Sequence, residues 1–326
     1  MVNFIDMAAN LRFVHFAPVY SRNTYDQVHD TIVVNAKVAP VPAIRCRQIT
    51  DSDVPGITAL LARGFPSRDA QFWRHALHQL ASRQPPFGLP QYGYLLESGG
   101  QPVGAILLIC AEVQTGDTSV RRCNLSSWYV DPAYRSYAAL LVSRALSHKD
   151  VTFLNVSAAP HTWPIIEAQG FSRYSQGVFV AIPALNEPFG GASVTILDGR
   201  ARPPVAFDLL EQKILAQHAA LGCISLWCVT PERAYPFVFR PRRVKKLLPC
   251  VQLIYCRDVG DFVRFAGPLG RHLLRHGRPF VIVDANAPIA GLIGLYRRGS
   301  MPRYFKGPQQ PRLGDLAYTE YAVIGV

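Results

Sequence analysis

Residues 123–130 read as a strand that stops at Asp131-Pro132, and residues 138–147 read as a helix. The turn between them carries the residue types that bind an anion. Amides at a helix N-terminus lack partners within the helix and carry a partial positive charge, so they attract phosphate. Arg135 adds a guanidinium that can grip phosphate oxygens bidentately, and the small Ala138 and Ala139 let the backbone approach a ligand. Proton transfer needs other groups. His161, Tyr174 and Ser127 are the candidates, with Tyr129, Glu97 or a water as alternatives. Each also has a structural reading: His161 as a loop histidine, Ser127 as a partner for strand neighbours, Glu97 as a solvated turn residue.

The elements that must position these residues follow from periodicity and turn chemistry. Residues 44–49 alternate like a strand, and the run Thr50-Asp51-Ser52-Asp53 offers caps for a helix to residue 62. Residues 68–82 form a second amphipathic helix. Residues 92–97 and 103–113 make a hairpin around Ser98-Gly99-Gly100. A strand at 151–157, a short helix at 164–169 ending at Gly170, and a strand at 179–182 complete a mixed α/β pattern with helices on both faces of a sheet.

The chain has 326 residues, 49% of them apolar, which is enough material for about two domains. Residues 1–40 read as an extension packed on a domain, 41–185 as the first domain, 186–206 as a linker rich in Pro, Gly and Ala, and 207–326 as a second domain. The second half repeats the first: Tyr255 aligns with Tyr129, residues 268–276 with 140–148, and residues 279–282 with 151–154. Its turn holds Asp258 and Asp261, which would repel a pyrophosphate, so the second copy reads as structural or as a module for another ligand.

No stretch approaches the ~20 apolar residues of a membrane span, and the N-terminus does not read as a signal peptide. The seven cysteines read as reduced, mostly buried thiols, which points to a cytoplasmic protein, and no metal-ligand spacing appears. A net charge of +12 draws polyanions without naming one. The basic run at 240–246 reads first as a solvated loop, with binding of a ligand's outer phosphate or of another polyanion as the sharper alternative. Nucleic acid is an unlikely partner because the nearby Tyr235, Phe237 and Phe239 alternate like the buried face of a strand. Residues 303–307 are basic and aromatic, and they read as a closing strand.

The string Val130-Asp131-Pro132-Ala133-Tyr134-Arg135, with Ala138 and Ala139 following, is similar to the pyrophosphate motif of the GNAT superfamily, Arg/Gln-x-x-Gly-x-Gly/Ala preceded by Val-x-Pro-x-Tyr. The resemblance spans residues 45–185 and includes Gln101-Pro102-Val103-Gly104 and the late Gly170-Phe171. Ala138 replaces the first glycine and Leu140 stands at the last small position. The resemblance implies a GNAT-like mixed sheet flanked by helices, followed by a second, degenerate GNAT-like domain. It implies acetyl-CoA or another acyl-CoA as co-substrate, held by Trp128, Tyr129, Val130, Arg135, Ser136, Tyr137, Ala138 and Ala139. An amine, on a small molecule or a protein, would be the acceptor. The family's tyrosine acid would fall at Ile166, which cannot donate a proton. A non-catalytic tandem protein that binds CoA or an anionic partner is the alternative. The acceptor, the acyl length and the oligomeric state are not encoded in any motif.

Overall fold

The computed structural model describes residues 43–115, 118–187, 194–244 and 248–325. The expected N-terminal extension at 1–40 and Lys245 and Lys246 of the basic run lie outside them. The first half runs β1 (Ile44–Gln48), α1 (Val54–Gly64), α2 (Ala70–Ala81), β2 (Gly93–Ser98), β3 (Gln101–Thr115), β4 (Thr118–Val130), α3 (Ala138–Ala145), β5 (Val151–Asn155), α4 (Trp163–Ala168) and β6 (Ser172–Ala181). The second runs β7 (Thr195–Asp198), α5 (Leu209–Ala220), β8 (Ile224–Val229), β9 (Ala234–Val244), β10 (Leu248–Cys256), α6 (Val259–Arg264), α7 (Ala266–Arg275), β11 (Phe280–Ala285), β12 (Gly294–Lys306) and α8 (Glu320–Val323).

Local chemistry sets these elements. Asp53 and Thr50 form a capping box ahead of α1, and the Asp69 carboxylate accepts from the Phe72 amide at 2.7 Å to start α2. The β2–β3 hairpin turns on Gly99 and Gly100, whose φ angles of 56° and 77° are those a tight primed turn demands. Strand β3 is buried on both faces from Val103 to Ala111, as a central strand covered by helices must be. On one side of it lie Ile57, Leu60, Leu61, Trp73 and Leu77 of α1 and α2, and on the other Leu141, Val142 and Ala145 of α3.

All twelve strands form one sheet, in the order β1-β2-β3-β4-β5-β12-β6-β11-β10-β9-β8-β7. The order is unchanged when the halves are exchanged. Each half sends its last strand across the middle: β12 pairs with β5, β6 pairs with β11, and the two lie antiparallel to each other. Strand pairing is therefore continuous between the two sequence halves. Within the span expected as a linker, residues Thr195–Asp198 are instead the edge strand β7, paired with β8.

The expectation of reduced thiols needs one correction. The β3–β4 register sets Cys110 opposite Cys123 with Cα atoms 4.0 Å apart, and the two form a disulfide. Cys46, Cys223, Cys228 and Cys256 are free. The basic run is also corrected, since residues 240–243 belong to β9 rather than to a loop. Phe237 and Phe239 are buried there, as their alternation required, and residues 303–306 lie in β12, a strand in the middle of the sheet rather than one that closes it. No described helix is long and apolar enough to cross a membrane.

At the middle of the sheet Arg303, fully buried, makes a bidentate pair with Asp284 through two bonds of 2.9 Å. Its remaining guanidinium nitrogen donates to the Val156 carbonyl and, at 2.9 Å, to the Tyr321 hydroxyl. One side chain of β12 thus ties β11, the end of β5 and α8 together.

Candidate functional site

Strands β4 and β5 run parallel from Arg121↔Val151 to Asn124↔Leu154, and there the ladder stops. Asn124, 1% exposed, marks the parting. Its amide donates to the Leu125 carbonyl at 2.7 Å and reaches the Leu154 carbonyl at 3.5 Å, and its oxygen accepts from the Glu320 amide at 2.8 Å. Just beyond, β4 carries an extra residue: Ser126 faces Leu107 and Tyr129 faces Ala105, with Ser127 at a φ of 50°. The bulge turns the strand away from β5. Among the described residues no backbone hydrogen bond reaches residues 126–130 from the β5 side. That leaves an open strand edge, a site that an extended amide-bearing chain can complete.

Trp128 and Tyr129 face opposite sides of the strand, both half-buried, and Val130 is buried. The Trp128 indole N–H is buried with no hydrogen-bond partner. At the strand end the carboxylate of Asp131 is held by Arg63 at 3.0 Å, so it does not stand unpaired beside the turn. The turn itself is helical, with part of its amides already used. Pro132–Tyr137 is a 3-10 helix, in which the Tyr134 and Ala138 amides already donate to the Asp131 and Arg135 carbonyls. Proline at its first position favours that helical entry. Arg135, Ser136 and Ala139 are exposed, Tyr137 is largely so, and Ala138 is half-buried. Arg135 makes no ion pair among the described residues.

The second half repeats this parting and then fills it. The β10–β11 ladder ends at Gln252↔Ile282, and the Gln252 amide lies 3.4 Å from both the Leu253 carbonyl and the Asp284 carboxylate. Strand β10 also carries one extra residue between Leu253 and Tyr255. Here, however, residues 314–316 lie antiparallel on the freed edge. Cys256 donates to Gly314 at 3.0 Å and Leu316 donates to Ile254 at 2.7 Å. Gly314 has a φ of 76°, and a Cβ there would sit 2.7 Å from the Cys256 sulfur, so only glycine fits. Arg122 of β4 holds this segment through Asp315 at 3.0 Å and 3.2 Å and through the Ala317 carbonyl at 2.7 Å. The second turn is closed as well, because Asp258 caps α6 by accepting from the Gly260 amide at 2.5 Å.

The expected proton-transfer residues do not form one group. His161 sits exposed in the 3-10 turn Pro160–Thr162 after β5. Tyr174 is 3% exposed on β6 with a hydroxyl that has no partner, and burial together with the charge of Asp284 pushes that hydroxyl far above the ordinary tyrosine value. Ile166 is buried in α4 as an apolar core residue. Ser127 lies at the parting, its hydroxyl 3.1 Å from that of Ser126, and Ser126 donates to a Glu320 oxygen at 2.5 Å.

Sequence reasoning missed Glu320, 194 positions from Ser126. It is 2% exposed, its second carboxyl oxygen has no hydrogen-bond partner, and burial raises its pKa. Its only sequence mark is Thr319, a capping residue ahead of a short helix.

The segment that brings Glu320 in is locked by His218, which is fully buried. Its Nδ1 lies 2.8 Å from the Ile214 carbonyl, and its Nε2 accepts from the Tyr318 amide at 3.1 Å. Burial pushes this imidazole down to about 4. Below its ordinary value of about 6.5 the unfolded chain takes up a proton that the folded chain refuses, so this contribution is full above pH ~6.5 and lost as pH falls toward 4. Glu320, whose folded pKa is raised, works in the opposite sense. The comparison with His218→Gln isolates the histidine: its urea midpoint is expected to fall less between pH 7 and pH 5 than that of the parent. Equal slopes would remove the lock from the account.

No protein-family model matches the sequence, and the search of curated proteins finds no match. Solved structures do match. A GCN5-related N-acetyltransferase from Anabaena variabilis aligns over 81% of this chain and 72% of its own, with a TM-score of 0.53 and 10% identity. A conserved protein from Enterococcus faecalis V583 aligns over 85% and 74%, with a TM-score of 0.51 and 11% identity. The glucosamine N-acetyltransferase region of a fungal multi-domain GH3 β-N-acetylglucosaminidase aligns over 82% of this chain and 38% of that one, with a TM-score of 0.52 and 12% identity. At such identities the likeness is one of fold, and the chain has the fold of the GCN5-related N-acetyltransferases.

Proposed function

We propose that the chain is an acyl-CoA-dependent N-acyltransferase with one working cofactor slot, between β4 and β5. The observation that carries this reading is the contrast between the two partings. The first leaves the edge of residues 126–130 open, while in the second the chain's own residues 314–316 take that place. A pantetheine arm presents amide groups as a peptide does, so the open edge suits it. Arg135 then stands at the turn for the pyrophosphate, with Ser136, Tyr137, Ala138 and Ala139 beside it. Calorimetric titration with acetyl-CoA is expected to give one site per chain, weakened at least about tenfold by Arg135→Gln. Two sites would sink the self-filled second slot, and no binding would sink the reading.

The chemistry we assign is transfer of an acetyl or other acyl group to an amine. The amine loses a proton as it attacks the thioester carbonyl, and the C–S bond breaks to release the CoA thiolate, which takes a proton. Glu320 is our proton acceptor, because it is a carboxylate with an unsatisfied oxygen and a raised pKa beside the bulge. His161 and Tyr174 have no such placement. Binding of CoA without thiol release from any amine would support the non-catalytic reading instead.

Asn124 and Gln252 test the slot from both sides. Asn124→Leu leaves the Leu125 carbonyl and the Glu320 amide without partners, at a cost of about 2–3 kcal/mol, and acyl-CoA affinity is expected to fall at least about tenfold. Gln252→Leu is expected to cost about 1–2 kcal/mol and to leave acyl-CoA affinity unchanged. Equal losses of affinity in the two variants would contradict the assignment of the slot to β4 and β5.

A further inference from the structure

A second feature concentrates positive charge away from the turn at Arg135. An open cleft of about 690 Å³ is lined by Arg68, Arg242, Arg243 and Arg278, with Ser67 and Gly325 between them, and among the described residues no Asp or Glu side chain lines it. The four arginines come from three separated parts of the chain: the α1–α2 connection, β9, and the segment entering β11. None of them makes an ion pair among the described residues. Two are oriented by aromatic rings. Arg242 lies 4.7 Å over the Tyr321 ring and Arg68 lies 4.5 Å over Phe72. One nitrogen of the Arg242 guanidinium is buried with no hydrogen-bond partner.

Such an arrangement is unfavourable without a ligand. Four like charges around one recess repel, and a buried N–H without an acceptor forfeits its hydration. Bound oxyanions relieve both costs at once. Guanidinium groups converging from separate elements suit an anion that offers several oxygens in more than one direction, and phosphate matches their fork geometry. We propose that this cleft binds a phosphate-bearing small molecule through Arg68, Arg242, Arg243 and Arg278. The cleft shares no lining residue with the acyl-CoA slot, which is built from β4, β5 and the turn at Arg135.

The probe is inorganic pyrophosphate, titrated by calorimetry into the full chain at low ionic strength, with citrate as the carboxylate control. Pyrophosphate is expected to bind more tightly than citrate. In the Arg135→Gln background, where the turn cannot compete for the probe, Arg242→Gln and Arg278→Gln are each expected to weaken it about tenfold or more. Arg243→Gln, at an exposed position, keeps the test open should Arg242→Gln unfold, and it is expected to weaken binding in the same direction. Absence of pyrophosphate binding, tighter binding of citrate, or loss of binding in Arg135→Gln alone would each overturn the proposal.

Discussion

Arg303→Met is expected to destabilise the protein by about 3–5 kcal/mol, because it leaves the Asp284 carboxylate buried without its partner. The loss comes mainly from Asp284, which is 4% exposed and has no route to water that keeps its charge solvated. Removing both partners tells this apart from loss of packing. Arg303→Met with Asp284→Leu replaces a buried ion pair by apolar groups of similar volume and is expected to recover most of the stability. Urea unfolding of the parent, the two single variants and the double variant closes the cycle. A single-variant loss under about 1 kcal/mol would mean that the pair adds little. The position makes the result informative about architecture. Arg303 lies on β12, which the second half contributes to the middle of the sheet, and it also binds the Val156 carbonyl at the end of β5 and the Tyr321 hydroxyl.

What the sequence showed and what it hid divide along the range of the interactions. The β4–turn–α3 unit was legible because its signals are local: a strand pattern, Asp131-Pro132, then helix periodicity. The parallel between the two halves rests on equally local patterns, and each half shows a parting of its parallel ladder, at Asn124 and at Gln252. The crossing of β6 and β12 was not legible, since nothing within β12 says that its partner is β5, which lies far back in the chain. The Cys110–Cys123 bond depended on a register that only the assembled hairpin fixes. The 3-10 turn escaped notice because a motif records residue types, whereas the fate of the Tyr134 and Ala138 amides depends on backbone angles. The acidic second turn was read as hostile to pyrophosphate, and Asp258 adds that this helix start already has an anion of its own. Residues 314–316 carry no motif at all, and their role appears only when Arg122 and Asp315 meet across the sheet.

The same long range brings Glu320 to the slot, and its replacement carries the largest expected effect on turnover. Glu320→Gln keeps the size of the side chain and its bond to Ser126 but removes the ability to accept a proton. General bases typically contribute about 10²–10⁴-fold, so kcat is expected to fall at least about a hundredfold, while acetyl-CoA affinity stays within a few-fold of the parent. The pH dependence gives a second readout. Burial raises the Glu320 pKa, so turnover in the parent should climb with pH as this carboxyl ionises, and the climb should be absent in the variant. Stability should move the other way. A folded pKa above the unfolded one means that ionised Glu320 opposes folding above the unfolded value, so at pH 8 the neutral glutamine should be no less stable than the parent. A purely structural Glu320 would give the reverse pattern, with unfolding at lower urea and turnover per folded molecule unchanged. Thiol release and the urea midpoint, measured on the same samples, separate the two, because a group retained for chemistry at a cost in stability must show both signs together.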